Sequence, residues 1–260
     1  MKRIGIIGLG VISKNYLKAL HSSPHFSLTA VSDVNENAMF RGLYQAFPFY
    51  TDYLKMIENE QLDFVLIATP PATHYEIAKA CMERSVNIIM EKPAVLNLER
   101  YDELLAIAKA RSLEFEVMYH FQNGSETLAF LREYDASKID GIHVEIMDHY
   151  SSDGVSILED RRILQGAWLD SGVNALSQIK LFLPFQSVEY IRAQKQVCPL
   201  SNLPLYVDVH LRIDGVPVEI TVDWRKDVNQ KITRLSYAGE PLILHNSNQS
   251  ILRYRRVQAE

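Results

Sequence analysis

The sequence predicts an α/β fold, a doubly wound parallel sheet followed by a smaller α+β domain with an open antiparallel sheet. Three observations carry that prediction. Over the first 120 or so residues, short apolar runs alternate with helical patterns, as strands joined by right-handed helical crossovers require. The run Lys2 to Gly8 passes directly into Gly8-Leu9-Gly10-Val11-Ile12-Ser13 and then a helical pattern through Asn15, Leu17 and Leu20, which reads as strand, glycine turn, helix. Beyond residue 120 the apolar runs follow one another directly, with Asp214-Gly215 as a hairpin turn between two of them.

The remaining elements of the first half follow in order. Phe26 to Ser32 reads as the second strand, Asn35 to Phe47 as a helix, the vicinity of Phe49 as a short strand and Asp52 to Asn59 as a helix. Asp63 to Ala68 is a central strand ended by Thr69-Pro70-Pro71, and Thr73 is placed to cap the helix that begins near His74. Val86 to Met90 is a buried strand that stops at Glu91-Lys92-Pro93. A helix capped by Asn97 then runs to about Arg111, and Glu114 to Tyr119 completes the sheet.

The glycine turn has a specific chemical meaning. Gly8 and Gly10 let the backbone turn tightly and approach a pyrophosphate, while the amides at the start of the following helix offer donors at the positive end of a dipole. Ser13 takes the position where a third small residue is needed for packing. Asp33 lies about 20 residues further on, after the second strand, where an acid accepts hydrogen bonds from a ribose diol. This is a Rossmann-type dinucleotide site, and a carboxylate there favours NAD over NADP, with NADP as the alternative. Asp33 also reads as a turn-forming or capping acid ahead of Glu36. We accordingly divide the chain into a dinucleotide-binding domain, 1–120, and a substrate-binding domain, 121–260.

Composition narrows the partners. The chain has 260 residues and a net charge of -5, which gives no attraction toward nucleic acid or an anionic membrane. No apolar run is long enough to cross a bilayer, and the N-terminus opens on a strand rather than a cleavable signal. The two cysteines, Cys81 and Cys198, lack metal-ligand spacing. We expect a cytoplasmic protein without disulfides or a bound metal.

Lys92 stands just past the carboxyl end of its strand, where ligands of open parallel sheets bind, and reads equally as a strand-loop lysine satisfied by Glu91 and solvent. In the second half, 141–150, 187–197, 205–213, 216–224 and 232–237 read as strands, and one helix spans 168–183, ended by Pro184. Asp170 and Asn174, four apart on that helix, share a face and can converge on one ligand. They read alternatively as a helix cap and a solvent-facing amide.

With Gly8-Leu9-Gly10, Asp33, the run 69–93 and Glu91-Lys92-Pro93 in register, the sequence resembles the glucose-fructose oxidoreductase/inositol dehydrogenase (Gfo/Idh/MocA) family over roughly its first 120 residues. A departure is Arg84-Ser85, where the family usually has glycine. The resemblance implies an NAD(P)-dependent oxidoreductase in which Lys92 is the active-site lysine, the Lys92-Pro93 bond is cis, and Val11, Ile12, Thr69, Pro70, His74 and Glu91 join Gly8, Gly10, Asp33 and Lys92 in binding the cofactor. His74 reads equally as a structural histidine. The family motif has an aspartate followed four residues later by a histidine that takes the substrate proton. Here that histidine is Asn174, and an amide cannot act as a base at neutral pH.

Asp170-Ser171-Gly172-Val173-Asn174-Ala175-Leu176-Ser177, with Tyr119-His120, is similar to the bacterial aldose 1-dehydrogenases, which carry asparagine at this position. Asp148 or Glu145 stands near that subgroup's strand carboxylate. The implied reaction is hydride transfer from the anomeric carbon of an aldose, whose hemiacetal hydroxyl is more acidic than an ordinary alcohol. Lys92 and Asp170 are the implied catalytic pair, and Asn174 and His120 bind the sugar. Two other readings stay open: a dehydrogenase acting on a ring carbon of a cyclitol or nucleotide sugar, and a non-catalytic NAD-binding sugar sensor. We also expect a homo-oligomer formed through the C-terminal sheet.

Overall fold

In the computed structural model, which describes residues 1–247 and 250–253, the chain divides into two compact units, Met1–Met118 and Tyr119–Glu260. The first contains β1 (Lys2–Ile7), α1 (Ser13–His21), β2 (Phe26–Ser32), β3 (Phe49–Tyr50), α2 (Tyr53–Asn59), β4 (Phe64–Ile67), α3 (His74–Glu83), β5 (Asn87–Glu91), α4 (Leu98–Arg111) and β6 (Phe115–Met118). Its six strands are all parallel, in the order β3-β2-β1-β4-β5-β6. All four residues of β4 are buried, as an apolar run covered on both faces requires. The order reverses between β1 and β4, and at such a switch point the loops leaving the strands part to open a crevice.

Local chemistry sets most boundaries. The Asp52 carboxylate accepts from Leu54 N at 2.9 Å and caps α2; Asn97 accepts from Arg100 N at 2.9 Å and caps α4. Thr73 makes no such cap, because its hydroxyl bonds Thr69 Oγ1 and the Pro70 carbonyl, each at 2.8 Å. The helix expected over 35–47 is reduced to one 3₁₀ turn, Arg41–Tyr44. Two consecutive side-chain turns divert the backbone there: Asn35 N donates to Asp33 Oδ1 and Asn37 N to Asn35 Oδ1, both at 2.9 Å. Ser85 adopts a left-handed φ of 61°, which accounts for a glycine preference at that turn.

The second unit contains α5 (Ser125–Glu133), β7 (Ile139–Met147), α6 (Val173–Phe182), β8 (Val188–Val197), β9 (Pro204–Ile213), β10 (Val216–Asp223), β11 (Gln230–Tyr237), β12 (Glu240–His245) and β13 (Ser250–Arg253). Seven strands form one sheet in the order β13-β12-β11-β7-β10-β9-β8. Every neighbouring pair is antiparallel except β7 and β10, which run parallel. Hairpin signals in sequence cannot reveal that pairing, because β7 and β10 are far apart in the chain. One face of the sheet is apolar: Ile142, Val144 and Ile146 of β7 and Val218, Ile220 and Val222 of β10 are buried with Phe130, Ile179 and Phe182. The helix expected over 168–183 begins as a π turn, Trp168–Gly172, and becomes α-helical only at Val173. The sequence pattern missed α5, β12 and β13.

Candidate functional site

Gly8 ends β1 with φ +97°, and a Cβ on it would lie 2.7 Å from the Ala68 carbonyl oxygen, so the turn accepts only glycine. Gly10 is different. A Cβ there would meet nothing within 4 Å, leaving open space above the loop where a pyrophosphate needs close access to backbone. Val11 and Ile12 are exposed beside it, and no side chain caps the first turn of α1. The buried Ser13 hydroxyl bonds the Gly10 carbonyl at 2.8 Å, and its own carbonyl accepts the Tyr44 phenol at 2.7 Å. The loop is therefore braced from beneath and open above.

Asp33 is the turn-forming acid of one of its sequence readings. Its Oδ1 makes the turn to Asn35, and its Oδ2 accepts from Leu9 N at 2.8 Å, tying the end of β2 to the glycine loop. Each carboxylate oxygen keeps a further acceptor site for a ribose hydroxyl. The residues thus fit a dinucleotide.

The other strand ends converge in the same unit. His74 is fully buried, with Nδ1 2.9 Å from the Pro93 carbonyl oxygen and Nε2 2.8 Å from that of Thr69. Both ring nitrogens are engaged with backbone, so His74 fastens the Thr69-Pro70 loop to the Lys92-Pro93 loop rather than offering itself to a ligand. The Lys92-Pro93 bond is cis. Glu91 is likewise engaged: one carboxylate oxygen receives the Tyr16 phenol and the other the Lys92 backbone N–H at 3.1 Å. Burial and the adjacent Glu91 charge raise the Tyr16 phenol above its ordinary range, so it remains a donor.

The second unit assembles a separate polar cluster. Asp148, just past β7, is buried, with Oδ1 2.8 Å from Lys231 Nζ and Oδ2 accepting from Ser171 Oγ at 3.2 Å. Ser171 also lies 3.4 Å from Asp170 Oδ2, so one hydroxyl bridges two buried acids. Burial first, then the charges of Asp148 and Asp170, push the Tyr150 phenol up, and the Arg161 guanidinium covers its ring at 4.6 Å. Glu145 is paired instead with Arg234 on the sheet's other face, so the strand carboxylate near Asp170 is Asp148.

Asn174 is 4% exposed and not solvent-facing; its Nδ2 reaches the Asp170 carbonyl at 3.4 Å, and its Oδ1 is a buried acceptor without a hydrogen-bond partner. His120 is exposed on a 3₁₀ turn, His120–Asn123, that Gln122 ties to α6 by donating to the Ser177 carbonyl at 3.1 Å. Sequence reasoning missed Ser171, Tyr150 and Lys231. Ser171 was readable beside Asp170, whereas Lys231 reaches Asp148 across 83 positions with no sequence signal.

Fold and glycine loop together define a Rossmann-type nucleotide-binding unit. Residues 2–119 match the family described as "Oxidoreductase family, NAD-binding Rossmann fold" (GFO_IDH_MocA), so the likeness to that family is carried by the first unit. Myo-inositol 2-dehydrogenase of Thermotoga maritima is 33% identical over 112 residues, 41% of this chain and 33% of that protein. The chain spans about a third of the length of the first curated relatives it matches, 35% in one case and 34% in another. Among solved structures, an inositol dehydrogenase homolog from Azotobacter vinelandii, complexed with NADH and myo-inositol, superposes with a TM-score of 0.85 at 18% identity, covering 99% of this chain and 74% of that one. D-galactose-1-dehydrogenase from Rhizobium etli gives 0.79 at 23% identity, covering 96% and 80%. At such identities these likenesses define the fold. Among the described residues, no helix is long and apolar enough to cross a membrane.

Proposed function

We propose that the protein is an NAD-dependent dehydrogenase that oxidises the anomeric hydroxyl of an aldose to a lactone. The observation that carries this reading is Asn174 itself, a buried amide whose Oδ1 has no partner, standing where the family's proton-accepting histidine is expected. An amide cannot take a proton at neutral pH, but Oδ1 can accept a hydrogen bond from a substrate hydroxyl and orient it. A hemiacetal hydroxyl gives up its proton more readily than a secondary alcohol, so it demands less of the base.

NAD, when bound, supplies the hydride acceptor. On the family resemblance, Lys92 is assigned the hydroxyl proton at Nζ and Asp170 the second acid–base role. Ser171 holds Asp170 and Asp148 in register, while Lys231 balances the charge of the second acid. His120 contributes a hydrogen bond to another sugar hydroxyl. Asp33 takes the ribose diol, and the open space over Gly10 takes the pyrophosphate. The similarity to myo-inositol 2-dehydrogenase favours a second reading, oxidation at a ring carbon of a cyclitol or nucleotide sugar.

Incubation of the purified protein with NAD and a panel of free aldoses, cyclitols and nucleotide sugars separates the readings. Reduced-cofactor absorbance should rise with aldoses. A rise only with cyclitols or nucleotide sugars would establish the second reading, and tight NAD binding without any reduction would leave a sugar sensor.

A further inference from the structure

The face of the second sheet opposite its apolar core carries a row of polar side chains in cross-strand register. His210 on β9 stands opposite Glu219 on β10, and Glu219 opposite His143 on β7. Asp208, two residues from His210 and so on the same face, stands opposite Thr221. We propose that Asp208, His210 and Glu219 bind a divalent cation of the zinc type, with His143 beside them as a fourth ligand.

The geometry supports a small ion. One ligand atom from each of the three residues lies within 4.8 Å of the others. His210 Nε2 is 3.0 Å from Asp208 Oδ2 and 3.7 Å from Glu219 Oε1, and His143 Nε2 is 3.8 Å from that same glutamate oxygen. Around a tetrahedral zinc with bonds of about 2.0–2.2 Å, neighbouring ligand atoms are roughly 3.3–3.6 Å apart. The His210 separations fall on either side of that value. One or two imidazoles with two carboxylates is a borderline donor set, suited to zinc or cobalt better than to calcium, which prefers six or more oxygens.

A second observation concerns charge. An Arg192 guanidinium nitrogen lies 3.0 Å from His210 Nε2, which is also 3.0 Å from Asp208 Oδ2, so positive charge already stands where the imidazole and the carboxylate converge. Arg192 supplies it from β8, an edge strand exposed along its whole length. A divalent ion concentrates twice the charge at that point and would displace the guanidinium. Asp208 is prepared for that role: it is 4% exposed, and Gln194 Nε2 at 3.2 Å and Thr221 Oγ1 at 3.1 Å already donate to its oxygens. The bound ion would clip β9 to β10 independently of the proposed oxidation.

The test is equilibrium dialysis of the chelator-stripped full chain against Zn²⁺, with bound metal counted per chain and thermal melts recorded with and without the ion. The wild type should hold one ion per chain and melt higher with it. His210→Ala and Glu219→Gln should each weaken uptake by about tenfold or more and lose the thermal response. Glu219→Gln keeps the shape of the site should His210→Ala fail to fold. Absence of a stoichiometric ion in the wild type, or undiminished uptake by the folded variants, would overturn the proposal and leave Arg192 as the permanent counter-charge.

Discussion

Tyr16, on the helix that follows the glycine loop, donates its phenol to Glu91, the last residue of the strand that delivers Lys92. Two loops expected to contact one cofactor are thereby joined through a single hydrogen bond. Tyr16→Phe removes the donor and leaves the ring. A hydrogen bond to a charged group contributes about 1.5–3 kcal/mol, less here because both residues are only half-buried. The variant should melt a few degrees lower and bind NAD several-fold more weakly, as read by calorimetry. Unchanged NAD affinity would mean that the two loops are positioned independently.

The two loop glycines should respond differently to the same substitution. Gly8→Ala places a Cβ 2.7 Å from a backbone oxygen at a φ of +97°, and should cost more than about 1 kcal/mol of stability. Gly10→Ala meets nothing within 4 Å, so its melting temperature should be unchanged while its NAD affinity falls about tenfold. A Gly10→Ala protein that binds NAD normally would remove the pyrophosphate from this loop.

Asp33 sets the cofactor preference in our reading. Asp33→Ser combined with Val34→Arg, at a side chain that is 88% exposed, should shift selectivity toward NADP, because repulsion of a 2'-phosphate becomes attraction. The serine also loses an acceptor for Leu9 N, so about 1 kcal/mol of stability should go with it. Comparing initial rates with the two cofactors checks the assignment; an unmoved ratio refutes it.

A pH effect on stability belongs to Asp223. Burial pushes its carboxyl up, but the forked Arg225 guanidinium, at 2.7 and 2.8 Å, and the Arg225 backbone N–H outweigh burial and hold it below the usual carboxylate range. A group depressed on folding contributes stability above its unfolded value, about 3.9, and that contribution is lost as pH falls through the folded value. Resistance to urea unfolding should therefore weaken below about pH 4, and that pH dependence should flatten in Asp223→Asn.

The first unit was legible because its chemistry is local. Gly8, Gly10 and Asp33 lie within one strand-helix-strand unit, and the caps at Asp52 and Asn97 are each set by one side chain. Where local signals competed, the pattern misled: residues 35–47 have helical spacing, but the Asp33 and Asn35 side-chain turns hold the backbone out of helix at that junction. In the second unit the decisive pairings are distant. The parallel contact of β7 with β10, the reach of Lys231 to Asp148 and the row Asp208, His210 and Glu219 exist only once the sheet register is set. Asp170 and Asn174 were legible through their spacing of four, whereas the π turn beneath Asp170 has no sequence signature we can name.

Asn174 is where the proposed mechanism is most exposed to test. If its Oδ1 only orients the anomeric hydroxyl while Lys92 and Asp170 handle the proton, Asn174→Ala should raise the KM for sugar and lower kcat by a modest factor. One neutral hydrogen bond contributes about 0.5–1.5 kcal/mol, whereas removing a general acid or base forfeits about 10²- to 10⁴-fold in rate. Lys92→Ala should therefore be far more damaging. Stability should hold in the Asn174 variant, since its Oδ1 has no partner to lose and its Nδ2 makes one long bond at 3.4 Å. NAD affinity should also hold. Asn174→His, which restores a base at that position, should gain activity toward cyclitols relative to aldoses if base strength is what restricts the wild type. Should Asn174→Ala abolish turnover as fully as Lys92→Ala, or Lys92→Ala keep near-full activity, the proton takes another route, and His120, exposed on its 3₁₀ turn, becomes the next residue to replace.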